Sequence, residues 1–177
     1  TYTDTRPNGE YGYYVISSVL DDKESADSPE ELGVAGGSSD AWSETAATGT
    51  WSAAPNWKLN AVPNSPAFLT FGSSATTELN NDLTDLEVAR MVFKEDAPAY
   101  TIEGNSRKMI SDIVSESPNA QTINLPFRLT RNLEITVPSH ISLGGVISGD
   151  GSIVKRGKGS LNITGNNTYT GGTVVYD

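Results

Sequence analysis

Cysteine is absent from the 177 residues, histidine occurs once, as His140, and methionine twice. No disulfide framework, thiolate metal site or cysteine nucleophile is therefore available. With one histidine, no histidine-based triad or multi-histidine metal site can be assembled within the chain. Apolar residues make up only 36%, and no run approaches the roughly 18 consecutive apolar residues of a membrane-spanning helix. Bases are scarce too: 12 Lys and Arg face 22 Asp and Glu, for a formal charge of −10. That balance argues against nucleic acid, whose phosphates need a basic stripe. The residues after Thr1 show neither the basic start nor the apolar run of a secretory leader. Since position 1 is not Met, the chain is expected to be a piece of something longer.

What the chain does hold is 17 glycines, 9 prolines and many Ser, Thr and Asn residues, a composition that suits a β-rich, loop-rich protein better than a helical bundle. Short strand-forming runs are read at 67–72, 86–93, 100–103, 109–114, 121–125, 133–137, 141–143, 146–147, 152–154, 161–164 and 173–176. Between them lie turn formers such as Asn80-Asn81-Asp82, Asp96-Ala97-Pro98, Pro118-Asn119 and Gly165-Asn166-Asn167. Many of the steps are too short for a crossover helix, which leaves an antiparallel sandwich or barrel, or a parallel β-helix. Leu133, Ile135, Val137, Ile141, Leu143, Ile153, Leu161 and Ile163 are expected to point inward. Asp82–Arg90 has some helical propensity, but Val88, Met91, Val92 and Phe93 continue it as a buried strand.

The choice between the two architectures turns on Leu143 to Tyr176, which holds more than half of the glycines. Ile147-Ser148-Gly149, Gly151, Lys155, Gly157, Gly159, Leu161, Gly165, Asn167-Thr168-Tyr169-Thr170-Gly171-Gly172-Thr173 and Val175 fall in a register that resembles the autotransporter-associated β-strand repeat of bacterial passenger proteins. The resemblance implies an all-β fold, a right-handed parallel β-helix over residues 67–177 with the repeat itself at 143–177. It also implies a secreted or cell-surface location, and a structural or adhesive role as a stiff stalk or filament-forming element.

Residues 1–36 differ in composition, with eight acids against Arg6 and Lys23. Tyr2, Asp4 and Thr5, the Pro7-Asn8-Gly9 turn, Tyr11-Gly12-Tyr13-Tyr14-Val15, Glu24-Ser25 and Ser28-Pro29 resemble the last strands of a fibronectin type III sandwich. Such a sandwich needs about seven strands and only three fit, so a partial β-sandwich remnant is expected. Residues 37–50, rich in Gly, Ser, Thr and Ala, read as a linker in which Trp42 is out of place. Trp51 to Trp57, followed by Pro63-Asn64-Ser65-Pro66, resembles the entry to such repeat regions. Residues 51–66 are accordingly expected to cap the first rung, since an open solenoid end exposes core and edge.

Little in the sequence points to chemistry. Asp82, Asp85 and Glu87, Glu95 with Asp96, and Lys155 with Arg156 and Lys158 are the charged clusters that a polysaccharide-cleaving β-helix would use. Each also reads as a solvated turn, and no pair has the spacing of glycosidase acids. Gly149-Asp150-Gly151 is a single copy of a motif that binds calcium only in repeats. His140 reads as a rung corner. The expectation is no enzyme, no cofactor and no metal. The alternative function is a carbohydrate-binding accessory region of a secreted glycan-degrading enzyme, with Trp42, Trp51 and Trp57 as sugar-stacking platforms. Partners expected are other domains of the parent polypeptide, surface glycans or further copies of the chain, with no nucleic acid and no membrane insertion.

Overall fold

A computed structural model describes residues 11–14, 19–20, 23–24, 31–34, 38–105 and 107–177, with side chains for 38–105 and 112–177. The chain divides into two units, Thr1–Gly37 and Ser38–Asp177. The first carries β1 (Tyr11–Tyr14), β2 (Val19–Leu20), β3 (Lys23–Glu24) and β4 (Glu31–Val34). Here β1 pairs antiparallel with β4, and β2 with β3. The fibronectin-like expectation for residues 1–36 rests mostly on positions outside the described residues.

The second unit is a parallel β-solenoid. One face stacks β5 (Ser38–Ala41), β6 (Ala67–Phe71), β8 (Glu87–Phe93), β10 (Arg107–Ser115), β13 (Leu133–Thr136), β16 (Ile153–Arg156) and β18 (Thr173–Val175) in that order. The facing sheet stacks β7 (Glu78–Asn81), β9 (Thr101–Gly104), β11 (Gln121–Ile123), β14 (His140–Leu143) and β17 (Ser160–Ile163). The only helical element among the described residues is a single 3-10 turn at Ala54–Asn56. No described helix is long and apolar enough to cross a membrane.

Coil length tightens along the axis. Ser38 pairs with Ala67, a step of 29 residues, whereas Leu69, Met91, Ile113 and Ile135 follow one another at 22. From Ile135 to Lys155 and on to Val175 the step is 20. The shortening coincides with a split in the long strand β10. Its first residues pair with β12 (Phe127–Leu129) and its last with β13. β12 in turn pairs with β15 (Ile147–Gly149). The later coils thus have three short strands and tight corners where earlier ones have two longer strands.

Corners that close this tightly require glycine. Gly104 has φ +115°, and a Cβ there would overlap the Asn81 carbonyl of the coil below. Gly157, at φ +87°, would set a Cβ 2.8 Å from the Val137 carbonyl oxygen. L-residues with a Cβ avoid this backbone region.

Period-two alternation sends every second side chain inward. Leu133, Ile135, Val137, Ile141, Leu143 and Ile153 are all 1% exposed or less, as the alternation predicts. Leu161 and Ile163, expected inward in the same way, are only half-buried. Residues 37–50, read as a linker, contain strand β5, which pairs with β6 along its whole length. Asn80 and Asn81, read as a turn, lie in β7, held by β9 on one side and the Thr50 bridge on the other.

Candidate functional site: the clamped first coil and the repeat coil

The first end is closed. From Ala41 the chain passes through Trp42 and rises to Thr50, which bridges in parallel to Asn80. The 3-10 turn at Ala54–Asn56 then reverses it, and Trp57 bridges antiparallel to Trp42. The Ser43 amide donates to the Asn56 carbonyl and the Lys58 amide to the Ala41 carbonyl, both at 2.8 Å. These bonds occupy the outer edge of the first rung at Ala41 to Ser43, while the Trp42 amide faces the next coil and donates to the Thr70 carbonyl.

Trp42, Trp51 and Trp57 fill the core beneath this clamp at 1%, 0% and 1% exposure. Trp42 and Trp57 meet edge to face with centroids 5.1 Å apart, and Trp51 and Trp57 do so at 5.8 Å. Phe71 stacks on Phe93 at 5.2 Å and extends the aromatic column into the second and third coils. The Trp57 indole N–H donates to the Trp51 carbonyl at 2.8 Å. Sugar platforms need an indole face open to solvent, so the structure corrects the sugar-stacking reading of these tryptophans: they pack a core. The acid Asp40, which sequence reading passed over, is also inward here. It is 3% exposed, and its Oδ2 has no hydrogen-bond partner.

The carboxylate clusters are dispersed into corners. Asp82 accepts from the Ser52 amide at 2.9 Å and from the Ser52 hydroxyl. Partial burial pushes its carboxyl up, but the bonds from the Ser52 hydroxyl and the amides of Ser52, Asp82 and Trp51 outweigh that and hold it below the ordinary value. Asp85 occupies a left-handed corner with φ 57°, and Glu95 and Asp96 form a turn. His140 Nδ1 pairs with the Ser160 hydroxyl of the next coil at 2.6 Å. Tyr100 is the strongly perturbed group. Burial pushes its phenol up to about 12, with Ser74 pulling against this and the Asp96 charge reinforcing it; its O–H donates to the Gly72 carbonyl at 2.6 Å.

At β17 and β18 the ladder bonds to the preceding coil are in place. The Ser160 amide donates back to Ser139 at 2.8 Å and the Thr164 amide to Leu143 at 3.0 Å. Alternation along the strand therefore turns the N–H groups of Leu161 and Ile163 away from β14. On the other face the Tyr176 amide donates back to Lys155 at 2.8 Å and the Ile153 amide reaches the Gly172 carbonyl at 3.0 Å. Thr173 and Val175 are thus the residues whose amides face outward. Because β18 stands one rung beyond β17, a groove of about 220 Å³ lies over β17, with Leu161, Ile163, Thr173, Val175 and Lys155 in its walls.

Lys155 sets this coil apart. It is 5% exposed and follows Ile135 in the same inward column. Its ammonium donates to the Gly157 carbonyl and lies 3.7 Å from the carboxylate of Asp177, whose side chain is 92% exposed. Outside it, Arg156 pairs with Glu134 at 2.8 Å and stacks over the Tyr176 ring at 4.8 Å. Sequence reading placed Lys155 in an outward charge cluster. Its parity with Ile153 was the signal that it points inward.

The geometry defines a parallel β-solenoid with a clamp over its first coil. Residues 153–177, which span β16 to β18, match the family model of the passenger-associated-transport-repeat. Comparison with curated proteins and with solved structures finds no match.

Proposed function

We propose that residues 38–177 serve as a stiff spacer in the passenger region of an exported, cell-surface protein, with a mechanical and not a catalytic role. The observation that carries this reading is the coincidence of the repeat match at 153–177 with continuous parallel pairing from β5 to β18. Each coil's backbone bonds run along the axis, and its apolar column is uninterrupted from Leu69 to Ile135. Bending such a stack means breaking several ladder bonds at once, which is the property a display stalk needs. Other domains of the parent polypeptide are the partners this role implies.

Protease treatment of intact source cells tests it. Cleavage of the protein while cytoplasmic markers stay whole is the expected result. Complete protection until lysis would contradict surface exposure.

A further inference from the structure

We propose that the exposed loop after the clamp, Lys58 to Pro63, is a processing site. An endoprotease with an apolar specificity pocket hydrolyses the Leu59–Asn60 bond, and the first-coil residues before the cut, Ser38 to Leu59, stay docked without a covalent link. The proposal goes beyond the stalk reading and does not rest on it.

Lys58 to Val62 are all exposed, the longest such run among the described residues from 38 to 169. Leu59, at 70%, is the barest large apolar side chain among the described residues, and Val62 follows in the same loop at 38%. A protease takes its substrate as an extended stretch of several residues, so the backbone must come free as well. Only one backbone bond lies inside the loop, from the Asn60 amide to the Trp57 carbonyl at 2.9 Å. Leu59, Ala61 and Val62 have none among the described residues, and Pro63 has no N–H to give. Nicking concentrates in loops of this kind.

Val146 is the contrast. It is 44% exposed, but its carbonyl accepts from the Phe127 amide at 2.9 Å, and the neighbouring Gly145 lies close against the Leu125 carbonyl of the coil below. Its backbone cannot leave without parting the coils.

Hydrolysis puts the oxygen of water on the Leu59 carbonyl carbon, breaks the C–N bond and leaves Asn60 with a new amino group. Contacts outside the loop then hold the two pieces together. β5 pairs with β6 along its whole length. The Trp51 amide donates to the Asn80 carbonyl at 3.1 Å, and the Asn80 amide to the Gly49 carbonyl at 2.8 Å. The Ser52 amide reaches Asp82 at 2.9 Å, and the Thr76 hydroxyl donates to the Ala46 carbonyl at 2.6 Å. The rings of Trp51 and Trp57 lie against Phe71 with centroids at 6.1 and 6.4 Å. The clamp bond from the Lys58 amide to the Ala41 carbonyl falls wholly on one side of the cut.

Chymotrypsin, whose specificity pocket is an apolar slot, tests this on the purified full chain, with mass spectrometry reading the new termini. Under native conditions the first cut within residues 38–169 should fall after Leu59. The two pieces should co-elute on gel filtration and separate only in denaturant. Their urea midpoint should rise with concentration, since docking of two pieces follows mass action. Leu59→Ser should slow the cut by about tenfold or more and leave the urea midpoint of the uncut chain unchanged, because this side chain is mostly in solvent. A first cut elsewhere within 38–169, resistance of the whole segment, equal rates for the parent and Leu59→Ser, pieces that part without denaturant, or a midpoint indifferent to concentration would each overturn the proposal. The test uses no cells, so it fails separately from the test of surface exposure.

Discussion

Ile135 and Lys155 are paired neighbours on adjacent rungs, and both point into the solenoid. The column Leu69, Met91, Ile113, Ile135 runs apolar through four coils and then meets a charge. Lys155 is held by its stem against the core and by its bond to the Gly157 carbonyl, which the left-handed corner at Gly157 accompanies.

Replacing that ammonium distinguishes packing from charge. Lys155→Met keeps the stem and removes a desolvated cation, so it should change stability by less than about 1.5 kcal/mol. Lys155→Glu sets a carboxylate beside the Gly157 carbonyl in the same space and should cost about 3 kcal/mol or more. Urea denaturation of the three chains compares them directly.

The clamp on the first coil depends on Trp57. Its ring contacts Trp42, Trp51 and Phe71, and its N–H holds the Trp51 carbonyl. Trp57→Ala should therefore cost about 3–5 kcal/mol, read by thermal or urea unfolding. Trp57→Phe should recover part of the loss, because the ring contacts return and the hydrogen bond does not.

Asp82 makes stability sensitive to acid. Its carboxyl is held below its ordinary value by bonds from Ser52, so the stabilisation is complete above the ordinary carboxylate value and is lost as pH falls through the lowered one. Asp82→Asn should show a shallower loss of stability in that acid window than the parent chain, measured by urea midpoints at a series of pH values.

Tyr100 does the reverse at high pH. Its phenol is raised from 10.0 to about 12, so its contribution is whole below pH 10.0 and disappears as pH climbs toward 12. Absorbance titration of the phenolates should show one tyrosine ionising last, together with loss of the β spectrum. In Tyr100→Phe that last step should vanish, and the chain should lose the bond to the Gly72 carbonyl at all pH values.

Much of the solenoid was legible because inward positions from Leu133 to Ile153 keep strict alternation and because Leu143 to Tyr176 falls in register with a strand repeat. Three strands were not. Ser38–Ala41 has linker composition and becomes β5 only through its pairing with β6. Glu78–Asn81 carries turn-forming asparagines that neighbours on both sides hold extended. Phe127–Leu129 is three residues long between Pro126 and Thr130, and β10 and β15 define it. In each case ladder partners outweigh local preference. The tryptophans stood out in sequence as aromatic residues in a polar stretch, but nothing local reveals that the chain doubles back at Ala54–Asn56 to bury them.

A continuously paired solenoid with a clamped first coil is the centre of this account, and residue-resolved amide hydrogen exchange measures it most directly. Slow exchange is predicted from Phe68 to Val92 and at Ser43 and Lys58 in the clamp. On β17 and after β18, Ser160, Thr164 and Tyr176, whose amides bond back to the preceding coil, should be slow as well. Fast exchange at Ser43 and Lys58, or at Ser160 and Thr164, would contradict a paired solenoid whose first coil is clamped.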